Sequence, residues 1–303
     1  MKWSSSVPSP GFASGFGGPE CSGSGPAWSA GALGEVHASD MLHEIFTYLT
    51  TPCPAYVRRM RYLYEIIALR GRHRRNRTAW RPHLENTRAF VLAAADRCGS
   101  TGSVAVYGAG LLLDVPLAEL ASRFRQVYLL DIVFLREVRR QARRYGNVTL
   151  VEHDATNVAE ALCRGIRQGV TDLPEPVPSP PECVRRADLV VSLNLLSQLW
   201  VMPRTHALRH LDELDEEQVD VWCSRIVAAH HAMLQSLDHR VCLVADHTCV
   251  KRDVTGRIVH TGSTIHDLPL PEPDADWTWN LAPIGEGDRA LATELLVGGW
   301  GLR

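Results

Sequence analysis

Apolar positions along the chain fall into stretches of different rhythm. Residues 1–39 show no sustained period; Gly, Ser, Pro and Ala dominate and charges are few. Such a segment buries too little apolar surface to offset its ordering entropy, so a disordered leader is expected. Residues 40–99 carry a helical rhythm and are expected to form a helical N-terminal cap. Leu42, Ile45, Phe46 and Leu49 recur at helix spacing until Pro52 and Pro54 interrupt them. Met60, Leu63, Tyr64 and Ile67 mark a second amphipathic helix over 56–69, ended by Gly71. Leu84, Phe90, Val91 and Ala94 mark a third over 82–97. Met41 stands where this rhythm begins, as it would if the native protein started there and not at Met1. The mass of the native N-terminus decides between the two.

From residue 100 to the end the pattern changes to short apolar runs alternating with helical stretches. Strands are expected at 104–107, 127–131, 148–154, 187–194 and 240–246, with helices near 117–121, 134–145, 158–166 and 216–237 between them. A Pro-rich linker covers 173–181. Strand–helix alternation predicts an α/β domain over 100–303 with a Rossmann-like, doubly wound, mostly parallel sheet covered on both faces. Right-handed crossovers place the carboxyl ends of those strands on one edge, where open α/β sheets bind ligands. The end of the chain differs. Asp253-Val254-Thr255-Gly256 signals a turn within an antiparallel hairpin over 247–265. Residues 277–281 and 290–296 are expected as an antiparallel closing strand pair.

Composition and charge change this picture mainly by exclusion. The chain has 303 residues, 45% of them hydrophobic and 22% charged, so a sizeable core is expected. A net charge of −2 supplies no global field for nucleic acid or an anionic membrane. No apolar run approaches the roughly 20 residues of a membrane span, and Lys2 is not followed by a continuous apolar stretch. The eight cysteines include no C-x-x-C pair, which argues against a zinc ribbon or redox pair. A reduced, cytoplasmic protein with no membrane contact is the expectation. Among 13 histidines, His206 and His210 share a helix face, but two ligands do not make a site, and no metal is expected. The basic stretch 70–77 reads as a solvated loop face, with only Trp80 near it for stacking.

Candidate chemistry begins where the first strand ends in Gly108-Ala109-Gly110. Glycines let the backbone approach a ligand closely, and a following helix presents free N–H groups. The second strand ends in Asp131, followed by Ile132, and the third in Asp154-Ala155. A carboxylate can accept from both hydroxyls of a ribose diol. Three such signals in order are more specific than any one. Through Val104 to Gly110, Asp131, Asp154 and the run 188–196, the chain resembles the class I S-adenosylmethionine-dependent methyltransferases. The resemblance covers roughly 103–246.

That resemblance implies S-adenosylmethionine as cofactor, with Gly108, Ala109 and Gly110 against its methionine and ribose part. It implies Asp131 with Ile132 at the ribose, Asp154 with Ala155 at adenine, and Asn194 at the end of the fourth strand beside the transferring methyl. Val106 and Leu112 stand where the family often has an acid and a third glycine; Asp114 is either a substitute carboxylate or a simple helix N-terminal acid. A dinucleotide-binding loop needs a glycine where Leu113 stands.

For the acceptor side the candidates are Asn194, Gln198 and a possible acid–base pair of Asp246 and His247, with a helix cap or structural histidine as the blander reading. A small-molecule methyl acceptor is expected and nucleic acid is not. A non-catalytic scaffold that kept the fold, or an RNA methyltransferase, are the alternatives.

Overall fold

The structure, a computed structural model, describes residues 38–302 apart from His239, and only the backbone of 38–40. Most of the expected leader therefore lies outside the described residues. Four helices come first: α1 (Ala38–Thr50), α2 (Ala55–Arg59), α3 (Tyr62–Arg75) and α4 (Arg77–Arg97). The single helix expected over 56–69 is broken at Arg61, whose φ of 69° places it in the left-handed region. Gly71 does not end α3. It is buried inside that helix, so the basic stretch 70–77 is helical and not a loop. Pro82 lies inside α4, which starts five residues earlier than expected.

The alternating part follows as β1 (Ser103–Tyr107), α5 (Leu117–Arg123), β2 (Gln126–Asp131), α6 (Arg136–Ala142), β3 (Val148–Glu152), α7 (Ala159–Arg167), α8 (Glu182–Arg185), β4 (Leu189–Leu193), α9 (Val201–His210) and α10 (Glu216–Ser236). The chain then builds β5 (Arg240–Asp253), β6 (Ile258–Ser263), β7 (Ala275–Ala282) and β8 (Leu291–Gly301). Asp215 starts α10 with a reciprocal capping box to Gln218.

One sheet of eight strands runs β3-β2-β1-β4-β5-β8-β7, with β6 on the far part of β5. The first five strands are mutually parallel; β6, β7 and β8 are antiparallel additions. This is the mixed α/β architecture expected from the alternation. The sheet is buried on both faces, and β1 shows how. Ala105 and Tyr107 face α7 and α10 through Leu162, Trp222 and Ile226, while Val104 and Val106 face α4 and α5 through Val91 and Leu120. Period-two side chains buried on both sides give a continuous apolar run. Among the described residues no helix is long and apolar enough to cross a membrane.

The helices α1–α3 sit on the carboxyl side of β2. Val57, Leu63, Ile66 and Ile67 pack there on Val133 and Leu135. The orientation of α1 is the reverse of what its apolar rhythm suggests. Glu44, Thr47, Tyr48 and Thr51 face inward, and Thr51 is fully buried. Met41, Leu42, Ile45, Phe46 and Leu49 are between 50% and 71% exposed. Three arginines hold this orientation: Arg58 donates to the carbonyls of Tyr48 and Thr51, Arg70 to Thr47 Oγ1, and Arg136 to the Thr50 carbonyl.

Candidate functional site

The two glycines after β1 do different things. Gly108 has φ 74°, and a Cβ added there would stand 2.4 Å from the Leu193 carbonyl oxygen. Packing against the end of β4 demands glycine at that position. Gly110 has φ 44°, and an added Cβ would meet only Asp131 Oδ2 and the Gly108 oxygen, both at 3.8 Å. Both are ordinary van der Waals distances, so a side chain would not be crowded on that side of the loop. Leu112 holds φ 60° without being glycine, so the loop keeps a glycine-type bend at a cost of about 1–2 kcal/mol.

At the end of β2 the carboxylate of Asp131 is held from two sides. Gly110 N–H donates to Oδ2 at 2.7 Å and Ile132 N–H to Oδ1 at 2.8 Å. These bonds favour the charged form, yet burial outweighs them and nearby Asp114 adds repulsion. The carboxyl is raised to about 6. His153 N–H donates to the Asp131 carbonyl at 2.9 Å, which brings the end of β3 alongside.

Asp154, next in the chain, turns its carboxylate onto its own loop. Oδ1 accepts from the Thr156 N–H at 2.9 Å and the Thr156 hydroxyl at 2.6 Å, and Oδ2 from Ala159 N–H at 2.9 Å. The side chain expected to meet a ligand is thus engaged at the N-terminus of α7, where free N–H groups attract an acid. Ala155 beside it is buried. From the helical segment, Tyr56 and Tyr62 pack with Ile132 at this edge. Burial holds the Tyr62 hydroxyl well above the ordinary phenol range, reinforced by Asp154, Tyr56 and Asp131.

Asn194 follows β4 in the left-handed region at φ 45°. Its Nδ2 donates to Asp114 Oδ2 at 2.7 Å and lies 3.4 Å from His83 Nε2. Asp114 is also raised, by burial first, with the Asn194 bond opposing. Of the two readings of Asp114, a solvated helix acid does not fit this partner. Two carboxylates, Asp114 and Asp131, therefore flank the glycine loop, each with its charged form disfavoured by burial.

His83, beside Asn194, was not among the residues singled out from the sequence. It is 1% exposed, stacked on Trp279 at 4.1 Å with the rings 5° apart, and its Nδ1 accepts from Trp277 Nε1 at 3.0 Å. Burial drives it down to about 3, so the ring is neutral. An indole nitrogen only donates, so Nδ1 is bare and the ring proton sits on Nε2; the Asn194 Nδ2 facing it is itself a donor, so the two do not hydrogen-bond in that tautomer. Trp80 adds an edge contact to Trp279 at 5.1 Å and donates to the Leu281 carbonyl at 2.8 Å. The available signal was paired spacing: Trp80 and His83 three apart on a helix, Trp277 and Trp279 two apart on a strand.

The remaining candidates separate from this cluster. For the expected acid–base pair of Asp246 and His247, each side chain has another hydrogen-bond partner. The strand does not end there but runs on to Asp253, with an irregularity in its pairing to β8 between Asp246 and Thr248. Asp246 accepts from Ser197 Oγ at 2.6 Å; His247 Nδ1 lies 2.9 Å from Thr248 Oγ1. Gln198 is exposed. His206 and His210 stack edge-on at 4.6 Å, and among the described residues no group of three or more His, Cys, Asp or Glu is placed to hold a metal.

No protein-family model matches the chain, and no curated protein sequence matches it. Solved structures that it resembles include the Burkholderia thailandensis 1,6-didemethyltoxoflavin-N1-methyltransferase with bound S-adenosylhomocysteine. That match has 14% identity, spans 82% of this chain and 92% of the other, and has a TM-score of 0.37. A complex of DhpI with SAH matches at 13% identity over 78% and 94%, with a TM-score of 0.33. The 23S rRNA methyltransferase ErmE matches at 13% over 68% and 66%, with a TM-score of 0.24. Superpositions this loose transfer no residue role.

Proposed function

We propose that this chain binds S-adenosylmethionine at the carboxyl edge of β1, β2 and β4 and transfers its methyl group to a small-molecule acceptor. The observation that carries the reading is Asp131: a half-buried carboxylate fixed by the Gly110 and Ile132 amides beside the uncrowded Gly110. Each carboxylate oxygen keeps acceptor capacity suited to a ribose hydroxyl. Gly110 and Ala109 would line the methionine side, and Ile132 the ribose. The loop 154–157, shaped by the Asp154 carboxylate, would line adenine; Asp154 itself is a positioning residue in this reading.

The electrostatics favour a cation. Asp114 and Asp131 are both held above the ordinary carboxylate range by burial, so a positive ligand restores their charged forms. When bound, S-adenosylmethionine supplies an electrophilic methyl on a positively charged sulfur. The chain's part is then placement: Asn194, locked by Asp114 and faced by His83, defines the wall where an acceptor would lie. Positioning alone can lower such a barrier by roughly 7–11 kcal/mol. Residues 40–99 act in this reading as the cap over that edge.

Calorimetric titration tests it. Saturable binding of S-adenosylmethionine and S-adenosylhomocysteine, weakened by about 10–100-fold in Asp131→Ala, is expected. No heat at millimolar ligand rejects the reading. A cofactor-binding protein without turnover is the second reading, favoured by Val106 and Leu112, which stand where the resembled family often has an acid and a third glycine. Binding without methyl loss in the presence of a small-molecule extract supports it.

A further inference from the structure

We infer that the outward face of α1, with the arginines beside it, docks on an anionic lipid surface. The starting point is the reversed helix. In a globular protein the apolar stripe of a surface helix faces the core. Here Met41, Leu42, Ile45, Phe46 and Leu49 lie together on the outer side over nine residues, each at least half exposed. The inward side is the polar one, and it is specifically anchored. Thr47 takes Arg70, while the carbonyls of Tyr48, Thr50 and Thr51 take Arg58 and Arg136. Cations at a helix C-terminus are favourable, so the reversal is held and not loose.

Charge decides which occupant fits. The near-zero net charge conceals a strong asymmetry. Residues 38–145 contain 18 arginines and nine acids; residues 146–302 contain 12 basic residues and 23 acids. On α6, Arg136 and Arg140 stand four apart, with Arg143 three further on, all exposed on one side. Arg136 donates to the Thr50 carbonyl, which places the start of this basic row at the C-terminal end of α1. Arg59, also exposed, lies just beyond the α1–α2 turn.

A second copy of the chain meeting α1 with α1 would bring the two arginine-rich regions together, which costs energy. An anionic bilayer answers both features. The face is a convex ridge on a single helix, and acyl chains accommodate a ridge without a matching groove, as interfacial helices do. Basic residues near an anionic leaflet contribute about 1 kcal/mol each.

Sedimentation of the full chain with lipid vesicles tests this without cofactor or acceptor. Vesicles with about 30 mol% phosphatidylglycerol are compared with pure phosphatidylcholine. Binding at least about tenfold tighter to the anionic vesicles, weakened by salt, is expected. Leu42→Glu with Phe46→Glu should lose about tenfold or more, and so should Arg140→Glu with Arg143→Glu. All four positions are exposed, and unchanged circular dichroism confirms that each pair folds.

Three outcomes overturn the proposal. One is no binding to anionic vesicles. Another is binding that ignores the Leu42 and Phe46 changes. The third is a dimer that those changes convert to monomer while lipid binding is absent, which would give the face to a second copy.

Discussion

At the scale of single residues, Asp131 and His83 make opposite commitments. Burial raises the Asp131 carboxyl to about 6, so the free protein ionises it only above that pH. Ribose hydroxyls and a cationic sulfur both favour the ionised form. Affinity for S-adenosylmethionine should therefore increase as pH rises, by up to about tenfold per unit below pH 6, and level off above it. Titrations between pH 5 and 8 check this; affinity that falls over the range contradicts it. His83 is pushed the other way, to about 3, and locked by Trp277 with its proton on Nε2. Nitrogen NMR should find it neutral in that tautomer throughout pH 5–8. A midpoint near 6.5 would show that the indole bond does not form. Gly108→Ala combines a left-handed backbone with a 2.4 Å approach to the Leu193 oxygen. A loss of about 2–4 kcal/mol by denaturant unfolding is expected.

At the scale of elements, the parallel strands were legible because burial on both faces writes them as short apolar runs. Val104 to Tyr107 and Leu189 to Leu193 are such runs. Element ends were less legible. β5 continues past Asp246 because β8 pairs with it as far as Asp253, and pairing across the sheet leaves no mark within one strand. The inward side of α1 was not legible for a related reason: helix periodicity identifies a stripe but not the side on which the rest of the protein lies.

The glycine loop and Asp131 were readable from local order, whereas His83 and Trp277 meet across 194 positions of chain. Their contact ties α4 to β7, with Trp80 and Trp279 completing the joint. Trp80 is 1% exposed, so Trp80→Ala should cost about 3–5 kcal/mol. Faster hydrogen exchange should be concentrated in α4 and β7. Exchange that rises evenly over the whole sheet would argue against a local joint.

For the whole molecule, the sheet edge holds two carboxylates disfavoured in their charged forms and covered by a helical segment. That arrangement should be relieved by a ligand that binds only the folded state. At a concentration about 100-fold above its Kd, S-adenosylmethionine should stabilise the protein by about 2.7 kcal/mol. The accompanying rise in Tm is roughly 5–11 °C. S-adenosylhomocysteine lacks the sulfonium charge and should bind more weakly, and so stabilise less at equal free concentration, if Asp114 and Asp131 sense that charge. Equal shifts at equal free concentration would remove the electrostatic part of the account.

The most direct measurement compares S-adenosylhomocysteine with its 2′,3′-dideoxy analogue in the wild-type chain and in Asp131→Ala. If the carboxylate receives the ribose hydroxyls, wild type should favour the natural ligand by about 10–100-fold, and the variant should bind both almost equally. A preference that survives unchanged in Asp131→Ala would mean that the ribose lies elsewhere.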